Sequence, residues 1–138
     1  MKALLVGGYP KGEGLAPFSM LTHSGRILRR LVADAELDAK YTDLWETEAE
    51  ERAGKISPEK LSELNDAVYE GRQVVALGRW VHRCINSVDD HWFKDLIAPL
   101  VIYLPHPASR RRYDLVALSK GLVEIHRRPK ESLGRILV

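Results

Sequence analysis

A histidine stands between two prolines at Pro105-His106-Pro107, and Ser109 and three consecutive arginines, Arg110, Arg111 and Arg112, follow it. Each proline fixes its own φ and restricts the residue before it, so the imidazole sits on a stiffened backbone. An imidazole can give or take a proton near neutral pH, and the arginines place positive charge beside it. That combination suits a substrate that carries phosphate. The arginines also read as the solvated first turn of a helix. Cations there oppose the helix dipole, however, and a nearby phosphate or DNA backbone would remove the conflict. Other chemistries lack their residues. Cys84 is the sole cysteine, which leaves no internal disulfide and no Cys-based zinc or iron–sulfur site in this chain. It reads as a small hydrophobe on a helix face. His23, His82, His91 and His126 show no metal-ligand spacing, and Gly12 and Gly14 form a GxG with no third glycine. No cofactor and no metal are expected.

The formal net charge of +2 hides an asymmetry. Residues 34–70 hold twelve Asp and Glu against four Lys and Arg, a net of −8, so the rest of the chain carries +10. A basic face with an acidic back is one footprint of nucleic-acid binding, and a merely solvated surface is the other reading. The first apolar run, at 3–6, is too short for a signal peptide, and no segment is long and apolar enough to span a membrane. A cytoplasmic protein without a membrane partner is the expectation.

The elements that must position His106 follow from periodicity. Residues 2–6 read as a buried strand running into the loop Gly7-Gly8-Tyr9-Pro10. Ser24 can cap a helix with Ile27, Leu28, Leu31 and Val32 on its apolar face, where Arg26, Arg29 and Arg30 read as the solvated side. Residues 40–45 form a second strand, and 46–56 an acidic surface loop. Ser57 caps a helix with Pro58 at its first position, a stripe of Leu61, Leu64 and Val68, and Gly71 at its end. Residues 73–77 are a third strand, apolar after Gln73 as strands buried on both faces are. Gly78 turns into a helix carrying Trp80, Val81, Cys84 and Ile85. Residues 100–104 are the fourth strand, and 109–125 the last long helix. The segment after Pro129 reads as a short helix or a fifth strand.

Alternation of strands and helices predicts the α/β class: one three-layer domain over 1–138, with a central four-stranded, mostly parallel sheet flanked by helices. Ligands of such folds bind beyond the carboxyl ends of the strands. The loop at 7–14, Asp43, Gly78 and His106 all end or follow strands, so they are expected on one rim.

The order of these segments resembles the uracil-DNA glycosylase superfamily, in particular its bacterial iron–sulfur branch. The resemblance rests on Val6-Gly7-Gly8-Tyr9-Pro10, Pro17-Phe18, Ser24-Gly25-Arg26-Ile27-Leu28, Thr42-Asp43-Leu44, Ser57-Pro58-Glu59, Val74-Val75-Ala76-Leu77-Gly78 and His106-Pro107-Ala108-Ser109. It runs from Leu4 to about Glu124. It implies a uracil-DNA glycosylase-like fold, a base-excision hydrolase of DNA repair, and three residue roles. Phe18 would stack on an extruded base. His106 would hydrogen-bond the base carbonyl and stabilise the leaving anion. The backbone at Gly8 and Tyr9 would line the sugar and base pocket. A base in a duplex must leave the stack to be attacked, which makes these roles physically coherent.

The chain also departs from that pattern. The cluster cysteines are absent. Gly8 or Tyr9 falls where a water-positioning carboxylate or amide is usual, and Glu13 is the nearest acid that could reach in. Asp43 replaces the base-reading Asn. An ionised carboxylate only accepts hydrogen bonds, which argues against uracil and suits a base with an exocyclic amine, provided the neighbouring ring nitrogen or Asp43 itself is protonated. Asp43 could equally cap a turn or pair with a nearby arginine. Two functions follow. One is a glycosylase-like enzyme that hydrolyses the N-glycosidic bond of a flipped, non-uracil base, with Ser109 and Arg110 to Arg112 on the flanking phosphates of single- or double-stranded DNA or a nucleotide. The other is an inactive module of the same fold that binds DNA, a nucleotide, or a protein partner through the acidic segment 46–51.

Overall fold

The computed structural model describes residues 1–10, 12 and 14–129. Glu13 and the segment after Pro129 lie outside the described residues. Among those described, four strands form one parallel sheet in the order β2-β1-β3-β4. They are β1 (Ala3–Gly7), β2 (Ala39–Asp43), β3 (Gln73–Leu77) and β4 (Ile102–Leu104). Every residue of β1 and β3 is buried, as their unbroken apolar runs require of central strands. Strands β2 and β4 are the edges and keep exposed positions at Lys40 and Tyr103. All pairings are parallel, with Gly7 opposite Asp43 and Leu77 opposite Leu104, so the carboxyl ends share one rim.

Among the described residues there are six α-helices, and five of them pack on the sheet. Helices α1 (His23–Asp34) and α6 (Arg112–Arg127) press Leu28, Val32, Leu118, Leu122 and Ile125 against Leu5 and Val75 on one face. Helices α3 (Pro58–Tyr69), α4 (Arg79–Asn86) and α5 (His91–Leu96) bring Leu64, Val81, Ile85 and Phe93 against Leu4, Val74 and Ala76 on the other. Helix α2 (Glu48–Ala53) has no fully buried residue. The end of the sheet away from the rim is tied by polar groups. Arg72 is 7% exposed and donates to the Ala3 carbonyl at 3.0 Å. The buried Gln73 amide donates to the carbonyls of Val74 and Leu100 at 3.0 and 2.8 Å. Buried amides are tolerated when paired in this way, and they fix strand register beneath the site.

Both edge strands are shorter than the sequence expectation: β2 ends at Asp43 rather than at 45, and β4 begins at Ile102 rather than at 100 because a tight helical turn, Ala98–Leu100, takes up the residues before it. Four helical elements differ as well. Helix α1 begins two residues earlier than the Ser24 cap allows. Thr22 takes the extended cap conformation and accepts the Gly25 N–H at 3.0 Å. Residues 46–56 are not a loop, because Thr47 caps α2 by accepting the Glu50 N–H at 3.1 Å. Thr47-x-x-Glu50, acids in the first turn, Arg52 in the last and Gly54 beyond it are the signals that reveal this helix. Helix α5 is capped by Asp90, which accepts the Phe93 N–H at 2.9 Å. It carries one fully buried residue, Phe93, too little for a periodic stripe. Helix α6 starts at Arg112 rather than Ser109, with Arg111 at the cap position, where its side chain accepts no helix N–H.

Gly54 closes α2 at φ +74°, and a Cβ there would lie 3.1 Å from Cys84 Sγ and 3.2 Å from the Trp80 ring. Gly54→Ala is therefore expected to lower stability by about 1 kcal/mol, since a left-handed Cβ is strained. Urea unfolding checks this, and an unchanged midpoint would contradict it.

Candidate functional site at the rim of the sheet

The chain crosses from β2 on one side of β1 to β3 and β4 on the other. The loops after β1 and β3 therefore leave in opposite directions, and a crevice opens between them, as at the switch point of other parallel sheets. A cleft of about 350 Å³ lies there. Gly8 and Tyr9 form one wall, Gly78, Arg79 and Trp80 a second, and His106, Ala108 and Ser109 a third. Glu51 completes the lining.

His106 is placed by β4 and by Gly78. Gly78 sits at φ +97°, a conformation open to glycine, and it faces the His106 side chain, where a Cβ would lie in ordinary contact 3.5 Å from His106 Cβ. The Gly78 N–H donates to the Leu104 carbonyl at 2.9 Å and locks the two loops together. The Ala108 N–H donates to His106 Nδ1 at 3.0 Å. A nitrogen that accepts has no proton, so this bond assigns the proton of the neutral ring to Nε2. The neutral imidazole is thus a hydrogen-bond donor through Nε2.

Phe18 and Asp43 meet His106 around a second, much smaller cavity. It is lined also by Gly8, Tyr9 and Thr22, and its volume is about 30 Å³. A space of that size takes a water or two, not a nucleobase. Phe18 is 7% exposed, and its ring centroid lies 6.3 Å from those of His106 and Tyr41. Its ring edge covers Gly7, where a Cβ would fall 2.7 Å from it. The side chain is thus a wall behind His106 and presents little face for stacking. Tyr9 and the 42% exposed Trp80 are the aromatic groups that line the larger cleft.

Phe18 holds φ +48°, which is strained for an aromatic residue. Arg29 supports that strain: its guanidinium donates to the Phe18 carbonyl at 2.6 Å and the Pro17 carbonyl at 3.1 Å, and it stacks 4.1 Å over the Tyr41 ring. Arg29 is accordingly not part of a merely solvated face. Its spacing from Arg26 and Arg30 carries no sign of this role, which depends on the loop preceding the helix. Gly25 lets that loop lie on α1, since a Cβ there would overlap the Ser19 carbonyl.

Asp43 ends β2 with its side chain against Gly7. The carboxyl is buried, and Oδ2 has no hydrogen-bond partner among the described residues. Burial pushes its pKa up to about 6, Lys60 draws it down, and the charge of Glu51 raises it. A protonated, neutral form that can donate as well as accept is therefore within reach near neutral pH.

The basic segment divides into parts. The Ser109 hydroxyl donates to Asp114 Oδ2 at 2.6 Å and accepts the Arg111 N–H at 3.3 Å, so its one proton is committed within the turn. Arg111 donates to the Tyr113 hydroxyl at 2.7 Å. Arg110 and Arg112 are exposed, and neither makes an ion pair among the described residues. Asp114 in the first turn of α6 relieves part of the dipole conflict of the three arginines.

Glu51 is the site residue that sequence reading missed. Assigned to an acidic loop, it is instead turned inward by α2, while Glu46, Glu48 and Glu50 of the same segment are exposed. A Cβ on Gly8 would overlap its Oε2.

Comparison of the chain with protein-family models, with curated proteins and with solved structures finds no match. What the fold and site define is a four-stranded parallel α/β protein, flanked by helices, with a histidine-bearing cleft at the carboxyl ends of its central strands. Among the described residues no helix is long and apolar enough to cross a membrane.

Proposed function

We propose that the cleft takes a nucleobase still attached to its sugar, and that the protein is a uracil-DNA glycosylase-like hydrolase of the N-glycosidic bond of a flipped, non-uracil base. The observation that carries this reading is the Ala108 N–H bond to His106 Nδ1, which leaves the neutral ring's Nε2 as a donor at the cleft. Breaking a glycosidic bond pushes negative charge onto the base carbonyl, and a preorganised donor lowers the barrier by stabilising that charge. The cleft volume suits a base with part of its sugar. Tyr9 and Trp80 offer the aromatic faces that Phe18, closed behind His106, does not. Asp43, whose raised pKa lets it donate as well as accept, lines the small cavity that shares Gly8, Tyr9 and His106 with the cleft, and its contact with a base edge that bears an amine requires that cavity to open. Arg110 and Arg112 hold the flanking phosphates of single-stranded DNA, duplex DNA or a nucleotide.

The second reading, a module that binds a nucleotide, DNA or a protein without breaking a bond, is favoured by the 30 Å³ cavity at Phe18 and Asp43, which admits no base as it stands.

Amide chemical shifts followed during titration with deoxyinosine and deoxyuridine monophosphates test occupancy of the cleft. Shifts centred on Gly8, Gly78, Arg79 and Ala108 are expected. Shifts confined to other parts of the surface would contradict the placement. The phosphate role has its own test. Replacing Arg110 and Arg112 together by Ala should flatten the dependence of log affinity for a single-stranded oligonucleotide on log salt by roughly 1.4, at about 0.7 for each phosphate that is no longer neutralised. An unchanged slope would remove the arginines from the interface.

A further inference from the structure

We infer that Glu51 is the general base of the cleft, the carboxylate that takes a proton from the attacking water. This rests on the hydrolase reading above. Among the described residues that line the cleft, Glu51 is the one carboxylate, and His106 lines the same space. One group can donate to the departing base and the other can accept from a nucleophile, which is the division of labour that hydrolysis of a glycosidic bond needs.

The fold fixes Glu51 rather than leaving it on a loose side chain. Its backbone carbonyl accepts the Trp80 indole N–H at 2.7 Å, tying α2 to the first turn of α4. Thr47 caps the start of α2, and Gly54 ends it against Cys84 and Trp80. The carboxylate then lies on the Gly8 backbone, where any side chain on Gly8 would displace it. Its charge is felt on both sides, by Asp43 at the end of β2 and by Cys84 on α4, and Arg79 faces the same cleft. Glycine at position 8 thus has a physical reason that involves Glu51 directly: it leaves the space that the carboxylate fills.

The step balances without a further reactant. Water oxygen bonds to C1′ as the C1′–N bond breaks, and that bond's electron pair leaves with the base. His106 Nε2–H stabilises the resulting anion at the base carbonyl. Glu51 accepts the water proton, which passes to the departed base and restores the carboxylate. The products are the free base and a C1′ hydroxyl.

The test uses the full chain and single-stranded oligonucleotides carrying uracil, hypoxanthine, xanthine or 5-hydroxymethyluracil. Glu51→Gln keeps the shape and removes the base, and is expected to slow base release by about a hundredfold or more with binding of the oligonucleotide retained. Glu51→Ala is expected to recover turnover with added azide, which attacks C1′ without giving up a proton and yields a glycosyl azide. Base release by Glu51→Gln within about threefold of the parent rate, or no azide product from Glu51→Ala, would overturn the assignment and leave the hydrolase reading in place. No base release by the parent protein from any of these oligonucleotides would overturn both.

Discussion

His106→Ala is expected to slow base release by about a hundredfold or more, a loss of roughly 3 kcal/mol of transition-state stabilisation. The position of the ring proton is the reason. The Ala108 N–H occupies Nδ1, so the neutral ring donates from Nε2, and the prolines on either side hold its backbone still. A donor aimed at charge that develops during the reaction acts on the transition state more than on the bound substrate. The loss should therefore fall mainly on kcat, with KM little changed. His106→Gln keeps an amide donor without the fixed geometry and should lose less. His106 is partly exposed and contacts the Gly78 backbone, so the Ala variant should fold with nearly unchanged stability. Equal kcat in the parent and the Ala variant would remove the histidine from the chemistry.

The second large effect is a pH dependence of stability that disappears in Asp43→Asn. Burial lifts the Asp43 carboxyl from 3.8 to about 6, so the folded state holds its proton more tightly than the unfolded chain does. Below the unfolded value both states are protonated and Asp43 costs nothing. As pH rises from about 4 to about 6 the unfolded chain releases the proton first, and stability falls. Above that window the full cost of the buried charge remains. It amounts to about 2 kcal/mol once solvent screening is allowed for. Asparagine carries no charge at any pH. Whatever constant cost its buried amide has, the stability difference between variant and parent should shift by about 2 kcal/mol in the variant's favour between pH 4 and pH 7. Urea unfolding of both proteins across that range measures it. Parallel curves would show that the Asp43 charge is solvated after all.

The sheet was legible in the sequence because its central strands are buried on both faces. Residues 73–77 carry apolar side chains without a break after Gln73, and residues 3–6 do the same, so neither run needs tertiary context to be read. Gly78 and Gly8 were visible as glycines after strands, and the shared rim followed from parallel order alone. The Ser57-Pro58 helix start was equally local, and Ser57 accepts the Lys60 N–H as its position requires.

What escaped was set by contacts that sequence spacing does not encode. Phe18 looks like a stacking platform until its ring is found against Gly7, pinned in a left-handed conformation by a guanidinium eleven residues on. Trp80 reads in the sequence only as a residue of the helix after Gly78, yet it faces the cleft and its indole N–H donates to the Glu51 carbonyl. Glu51 itself sits among acids that an eye for composition reads as one solvated patch. The capping residues around Thr47 were the available clue. They give a helix, and a helix turns one acid of such a run inward while leaving its neighbours in water. The Ser109 hydroxyl went the other way, from an expected phosphate donor to the internal partner of Asp114.

Strand cleavage after alkali decides whether the cleft breaks a glycosidic bond. End-labelled oligonucleotides, single- and double-stranded, carrying uracil, hypoxanthine, xanthine, 5-hydroxymethyluracil or modified cytosines, are incubated with the protein beside His106→Ala and then heated in alkali. Glycosidic hydrolysis leaves an abasic site that alkali breaks. Cleavage at one of the non-uracil bases by the parent protein, and its loss in the variant, is the expected outcome. Intact strands across the panel, or cleavage that His106→Ala leaves undiminished, would contradict a glycosylase built on His106.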